Sequence, residues 1–120
     1  MGRFQDLKVW RRGKDLAVWV YQTTGQGEFC RDFGLRDQIR RAVVSIPSNI
    51  AEGDELNTNA QAIRHFYIAK GSTAEVLTQG IIAREIGYLS SAQYEHLEEE
   101  CTAIASMLRR LIQSRQTPIP

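Results

Sequence analysis

The chain has 120 residues, with 15 Lys and Arg against 14 Asp and Glu and a formal net charge of +1. That length suits one domain, which buries roughly two-thirds of the surface its unfolded chain exposes and so needs no staples. The near balance of charge excludes a global pull towards nucleic acid or an acidic membrane.

The first predicted element is a helix over residues 7–23, with Asp6 as its N-cap. Its apolar residues fall on two adjacent seams, 7-10-14-17-21 and 9-13-16-20, and it stops at Gly25 and Gly27. The second helix spans 34–54, with Leu35, Ile39, Ala42, Val43, Ile46 and Ile50 at three- and four-residue spacing. Pro47 lies inside it and removes the N–H that would bond the Val43 carbonyl, so a kink is expected there. The alternative is a break and restart at Pro47; apolar spacing that carries through to Ile50 favours the kink. Gly53 reads as the C-terminal cap.

A Thr58/Gln61 capping box opens the third helix, 59–87, which Gly87 ends. A Ser90/Gln93 box opens the fourth, 91–114, with a seam of Tyr94, Leu97, Cys101, Ile104, Leu108 and Leu111. Glutamates fill its first turns and Arg109, Arg110 and Arg115 its last, matching the helix dipole. Pro118 and Pro120 are expected in a frayed tail. No period-two pattern or hairpin turn is present. With short connections, the reading is an all-α, up-down antiparallel four-helix bundle, one domain over 1–120, with a proline-kinked second helix.

The third helix carries more apolar surface than one buried stripe requires. One row is Ile63, Tyr67, Ala74, Leu77 and Ile81; a second, rich in small residues, includes Phe66, Ala69, Thr73, Val76, Gly80 and Ala83. Ile68, Ile82 and Ile86 add a further apolar strip. Self-association through the small-residue row is the expectation, against a bundle that covers the row itself. Val44, Ser48 and Ala51 offer a similar track on the second helix.

Around Pro47, the polar residues Ser45, Ser48, Asn49 and Glu52 interrupt a core-facing helix. They read as a kink held by local hydrogen bonds, with a ligand site at Asn49 and Glu52 as the alternative. No catalytic, cofactor or metal site is expected. The residues three before His65 and His96 are Ala62 and Gln93, so the Glu-x-x-His pairs of di-iron bundles are missing. Both histidines read as solvated. Cys30 and Cys101 have no adjacent activating base and read as reduced thiols of a cytoplasmic protein. The opening residues lack a signal-peptide core, and no apolar run approaches a membrane span, so no membrane partner is expected.

Local charge is less even than the total. Lys8, Arg11 and Arg12 share one face of the first helix, and Arg40 or Arg41 would extend it. These five are the candidate phosphate contacts; the alternative is ordinary solubilising charge and intersubunit ion pairs. No sequence-reading motif accompanies them.

The run Ser45-Ile46-Pro47-Ser48-Asn49-Ile50-Ala51-Glu52-Gly53, with Gln38-Ile39-Arg40-Arg41-Ala42 before it, resembles a bacterial family hallmark. So do Ile68-Ala69-Lys70-Gly71-Ser72-Thr73-Ala74-Glu75 and Ile86-Gly87-Tyr88-Leu89. The family is the four-helix-bundle proteins related to those encoded by intervening sequences in large-subunit ribosomal RNA genes. It includes the accessory proteins of diversity-generating retroelements. The resemblance covers Phe4 to Ile112; Cys30 stands where the family usually has proline. It implies a cytosolic, non-enzymatic homopentameric ring, and in the retroelement branch a scaffold for RNA and a reverse transcriptase. The functional expectation is therefore a homo-oligomeric binding scaffold, with RNA or DNA or a nucleic-acid enzyme as partner. The alternatives are a protein-interaction module without nucleic acid, and a small-ligand binder at Pro47.

Overall fold

Four helical segments of 17 to 27 residues account for most of the chain. In the computed structural model, which describes residues 3–116, they are α1 (Lys8–Thr24), α2 (Phe33–Glu55), α3 (Asn59–Glu85) and α4 (Ser91–Arg115). Each helix packs on its neighbour in sequence and α1 closes the square against α4. The described residues measure 53 × 23 × 21 Å. A helix with its side chains is about 10 Å across, so the cross-section is two helices by two. This is the expected all-α four-helix bundle. Pro118 and Pro120 lie outside the described residues.

Helix ends follow local chemistry. Asp32 Oδ1 accepts from Leu35 N at 3.1 Å and caps α2, while its Oδ2 accepts the Tyr88 hydroxyl at 2.9 Å. One carboxylate thus starts α2 and ties it to the α3–α4 connection. That hydrogen bond, ahead of burial, pushes the Tyr88 hydroxyl above the usual tyrosine range. Ser90 and Gln93 form the full reciprocal capping box. Thr58 accepts from Gln61 N at 3.2 Å. At Gly87, φ is +87°, and Tyr88 N and Gly87 N donate to Ala83 O and Arg84 O. This pair of bonds is the Schellman stop that favours glycine.

Two expected caps are corrected. Asp6 lies in a 3-10 turn (Phe4–Asp6), and Leu7 precedes α1 without a side-chain cap. Asp6 instead offers its backbone carbonyl to Arg11 Nη2 at 3.2 Å. Gly53 is not a C-terminal cap, because α2 continues past it to Glu55. A Cβ on Gly53 would stand 2.6 Å from Phe66 Cε1 and 3.1 Å from Ala62 O. The glycine is there so that α3 can approach. α2 also runs through Pro47 without a break, which removes the break-and-restart alternative.

The core comes from one seam per helix. It includes Val9, Leu16 and Val20 of α1, and Ile39, Val43, Ile46 and Ile50 of α2. α4 adds Leu97, Cys101, Ile104, Leu108 and Ile112. Of the two seams read on α1, the 9-13-16-20 series is the buried one. α3 contributes Ala62, Phe66, Ala69, Thr73, Val76, Gly80 and Ala83. Six of these seven had been assigned to a subunit interface. They are instead buried within one chain, because their small side chains let neighbouring helices come close. Leu97 of α4 packs where a Cβ on Gly80 would sit.

Two glycines should respond oppositely to alanine. Gly53→Ala should lower unfolding free energy by about 1–3 kcal/mol through overpacking against Phe66. Gly71, mid-helix with open space at its Cβ position, should raise it by up to about 1 kcal/mol as Ala. Urea unfolding of both variants at one protein concentration checks the signs.

Candidate interaction surfaces

The polar residues around Pro47 prove to be inter-helix fittings. Asn49 Nδ2 donates to Ser45 O at 2.9 Å and Ser45 Oγ at 3.0 Å. Ser45 Oγ meets Ser72 Oγ of α3 at 2.9 Å. Asn49 Oδ1 lies 3.0 Å from His65 Nδ1, and Glu52 Oε2 lies 3.3 Å from the same nitrogen. With both Nδ2 hydrogens on Ser45, Asn49 presents only an acceptor to the ring, so Nδ1 must carry hydrogen. His65 is therefore a bonded, half-buried residue and not a solvated one. His96 is exposed and packs against Trp19 with ring centroids 4.9 Å apart.

The rest of the motif has equally structural duties. Ile46 and Ile50 are fully buried, and Gly53 receives Phe66. Pro47 and Ile46 face Gly13 of α1, where a Cβ would stand 3.1 Å from Ile46 Cγ2. Of this run, Ser48 and Glu52 are the exposed residues. The expected side-chain partner for the Val43 carbonyl is not what Asn49 supplies, since its amide goes to Ser45. The hollows flanking this stretch are lined by Ser45 and Ser72 on one side and Val44 and Pro47 on the other. Neither is lined by Asn49 or Glu52, which gives the small-ligand reading no support.

The candidate phosphate contacts divide. Lys8 and Arg11 are exposed near the start of α1. Arg12 is engaged by Glu100 of α4 through two bonds, Nε to Oε1 at 2.9 Å and Nη2 to Oε2 at 3.1 Å. That hydrogen bond, opposed by partial burial, holds the Arg12 guanidinium above its usual range. Arg40 Nε donates to Thr24 Oγ1 at 2.8 Å and its Nη2 to Tyr21 O at 3.2 Å, with the guanidinium over the Tyr21 ring. Arg41 is exposed. Arg40 thus sits at the C-terminal end of α1. Lys8 and Tyr21 are thirteen positions apart along α1, or about 20 Å at 1.5 Å per residue. The single basic face read from the sequence is therefore two separate sites, one of which excludes Arg12.

Exposed apolar side chains are the feature the burial pattern leaves over. Val18, Tyr21 and Val44 form one group on α1 and α2. Tyr67, Ile68, Ile81 and Ile82 of α3, and Ile86 just after it, are all exposed by 40% or more. Among the described residues no three His, Cys, Asp or Glu side chains converge as a metal site. No helix there is long and apolar enough to cross a membrane.

With this architecture in view, a family model described as "23S rRNA-intervening sequence protein" matches residues 5–110. The chain belongs to that family. A crystal structure of a protein with unknown function from the S23 ribosomal protein family of Bacteroides thetaiotaomicron is similar to it, with a TM-score of 0.81 and 24% identity. The match covers 88% of this chain and 98% of that one, and shows the shared fold. No curated protein matches. The run from Ser45 to Gly53 is accounted for by helix packing.

Two predictions follow from these surroundings. Asn49→Ala removes both bonds to Ser45 and leaves the His65 ring with Glu52 alone, and should cost about 1–3 kcal/mol in urea unfolding; a loss near zero would contradict the network. Burial, with Glu100 adding to it, pushes the Cys101 thiol up to about 12. At neutral pH a disulfide reagent should therefore react with half-buried Cys30 well before Cys101, and denaturant should abolish the difference.

Proposed function

We propose that the chain is a non-enzymatic scaffold of the cytoplasm that works as a homo-oligomer and binds a larger partner through its exposed cations. The observation that carries this reading is the apolar surface left outside a full core. Nine large hydrophobic residues are exposed by 40% or more, on both flanks of α3 and on α1 and α2. Exposed apolar patches mark interaction sites in soluble proteins, and Val18, Tyr21 and Val44 border one hollow together. The homopentameric rings implied by the family resemblance agree with it. Two groups held in place support the non-enzymatic part: the Cys101 thiol is held protonated, and His65 is held by Asn49 and Glu52.

For the partner, Lys8 and Arg11 favour RNA or DNA phosphates. Repeated once per subunit, they form a multivalent basic surface even on a near-neutral chain. Engagement of Arg12 and Arg40 within the chain favours the second reading, a protein partner and no nucleic acid. Salt separates the two. With about three phosphate contacts, affinity for single-stranded RNA should fall about tenfold to fiftyfold between about 50 and 200 mM salt. Lys8→Glu with Arg11→Glu should flatten that dependence. Binding that ignores salt, or no binding, leaves the protein partner. In sedimentation, the wild type should run well above the 13.6 kDa of one chain; a lone monomer at all concentrations would end the scaffold reading.

A further inference from the structure

In an up-down square, the α1–α2 face and the α3–α4 face lie on opposite sides of the bundle. Each carries an apolar hollow. On the α1–α2 side a hollow of about 400 Å³ is bordered by Ala17, Val18, Tyr21, Val44 and Pro47. On the α3–α4 side a groove of about 580 Å³ has small residues, Gly71, Ala74, Thr102 and Ala105, between Tyr67 and Leu77. The first face thus presents bulky exposed side chains, and the second a floor of small ones that accepts them.

Charge distinguishes the faces further. Through Tyr21 and Val44, the first hollow is continuous with one bordered by Arg40 and Arg41. Through Leu77 and Thr102, the second is continuous with one bordered by Glu95, Glu98 and Glu99. The other charges at these places are mostly answered within the chain. Asp37 pairs with Arg36 at 3.0 Å, Lys14 with Asp15 at 2.6 Å, and Arg12 with Glu100. Lys70 borders the α3–α4 groove as well. Among the described residues, Arg40 bonds only neutral oxygens, and Glu98 accepts only the Tyr94 hydroxyl, at 3.1 Å. One side of the bundle is apolar and basic; the opposite side is apolar and acidic.

We propose that the occupant of the α3–α4 groove is a second copy of this chain, seated by its Val18–Tyr21–Val44 face with Arg40 and Arg41 against Glu95, Glu98 and Glu99. This rests on the self-association proposed above and specifies which surfaces meet. The contact is heterologous: every copy has one donor face and one acceptor face, so association continues until a ring closes or a filament grows. It also removes Arg40 and Arg41 from the phosphate-binding set and leaves Lys8 and Arg11.

The test uses two variants of the full chain, each blocking one face. Arg41→Glu with Val44→Glu alters exposed donor residues; Ala74→Trp fills the exposed floor of the acceptor groove. At a concentration where the wild type assembles, each variant alone should sediment as a monomer with unchanged helicity. Mixed, they should form a 1:1 dimer that grows no further, since the pair retains one intact donor and one intact acceptor. The dimer also shows that both variants are folded. A wild type that stays monomeric overturns self-association itself and leaves the grooves to an unrelated protein. An assembled wild type whose variants stay assembled, or whose monomeric variants fail to pair, overturns this docking alone.

Discussion

The close approach of α3 to its neighbours is the constraint on which the rest of the bundle depends. Gly53 of α2 leaves room for Phe66, and Gly80 leaves room for Leu97 of α4. Ala62, Ala69 and Ala83 continue the same thin strip. A helix with so slim a core face sinks deep between its partners. Its large aliphatic residues, Ile68, Ile81, Ile82 and Ile86, then have no place inside and stand on the flanks. Packing and surface character are two sides of one allocation: the inward row of α3 is mostly small because closeness is needed there, with Phe66 and Val76 as its larger members, and the isoleucines stand outward.

This explains where the sequence was legible and where it misled. Helix limits could be read because they rest on local chemistry. Ser90 with Gln93, Thr58 ahead of α3 and Gly87 after α3 each act within a few residues of themselves. The seams of α2 and α4 were legible through their period, except that α4 closes on buried Ile112 rather than Leu111. The small-residue row of α3 was visible but was given to the wrong contact, since a pattern of Gly and Ala shows that something comes close without showing whether it belongs to the same chain. Gly53 failed for a related reason. A glycine near a helix end is ambiguous between a turn and a tight crossing, and only the position of Phe66 decides it.

The polar motif was legible in kind but not in its partners. That Asn49 needed hydrogen bonds followed from its place on a buried seam; that they run to Ser45 and His65 depends on α3 lying alongside. Ser45 and Ser72 illustrate the same limit, being adjacent in space and distant in sequence. A bonded network of this kind rewards one register of α2 against α3, because a slip would leave half-buried donors and acceptors without partners. The run from Ser45 to Gly53 thus serves the packing of α2 on its neighbours.

On the outer surface, charge segregation matters more than the total of +1. Arg40 is held in place by two neutral oxygens and the Tyr21 ring, which orders the side chain without neutralising it. A preordered cation pays less entropy on meeting a carboxylate than a free one does. The glutamates of α4 are spaced to line its outer face, and Arg12 takes up Glu100 on the inner edge, leaving the outward carboxylates as the acidic counterpart. Lys8 and Arg11 lie apart from both groups, at the far end of α1. Two basic sites on one helix pair therefore differ in surroundings: one borders exposed apolar side chains, as a subunit contact requires, and the other stands in open solvent, as a phosphate contact requires.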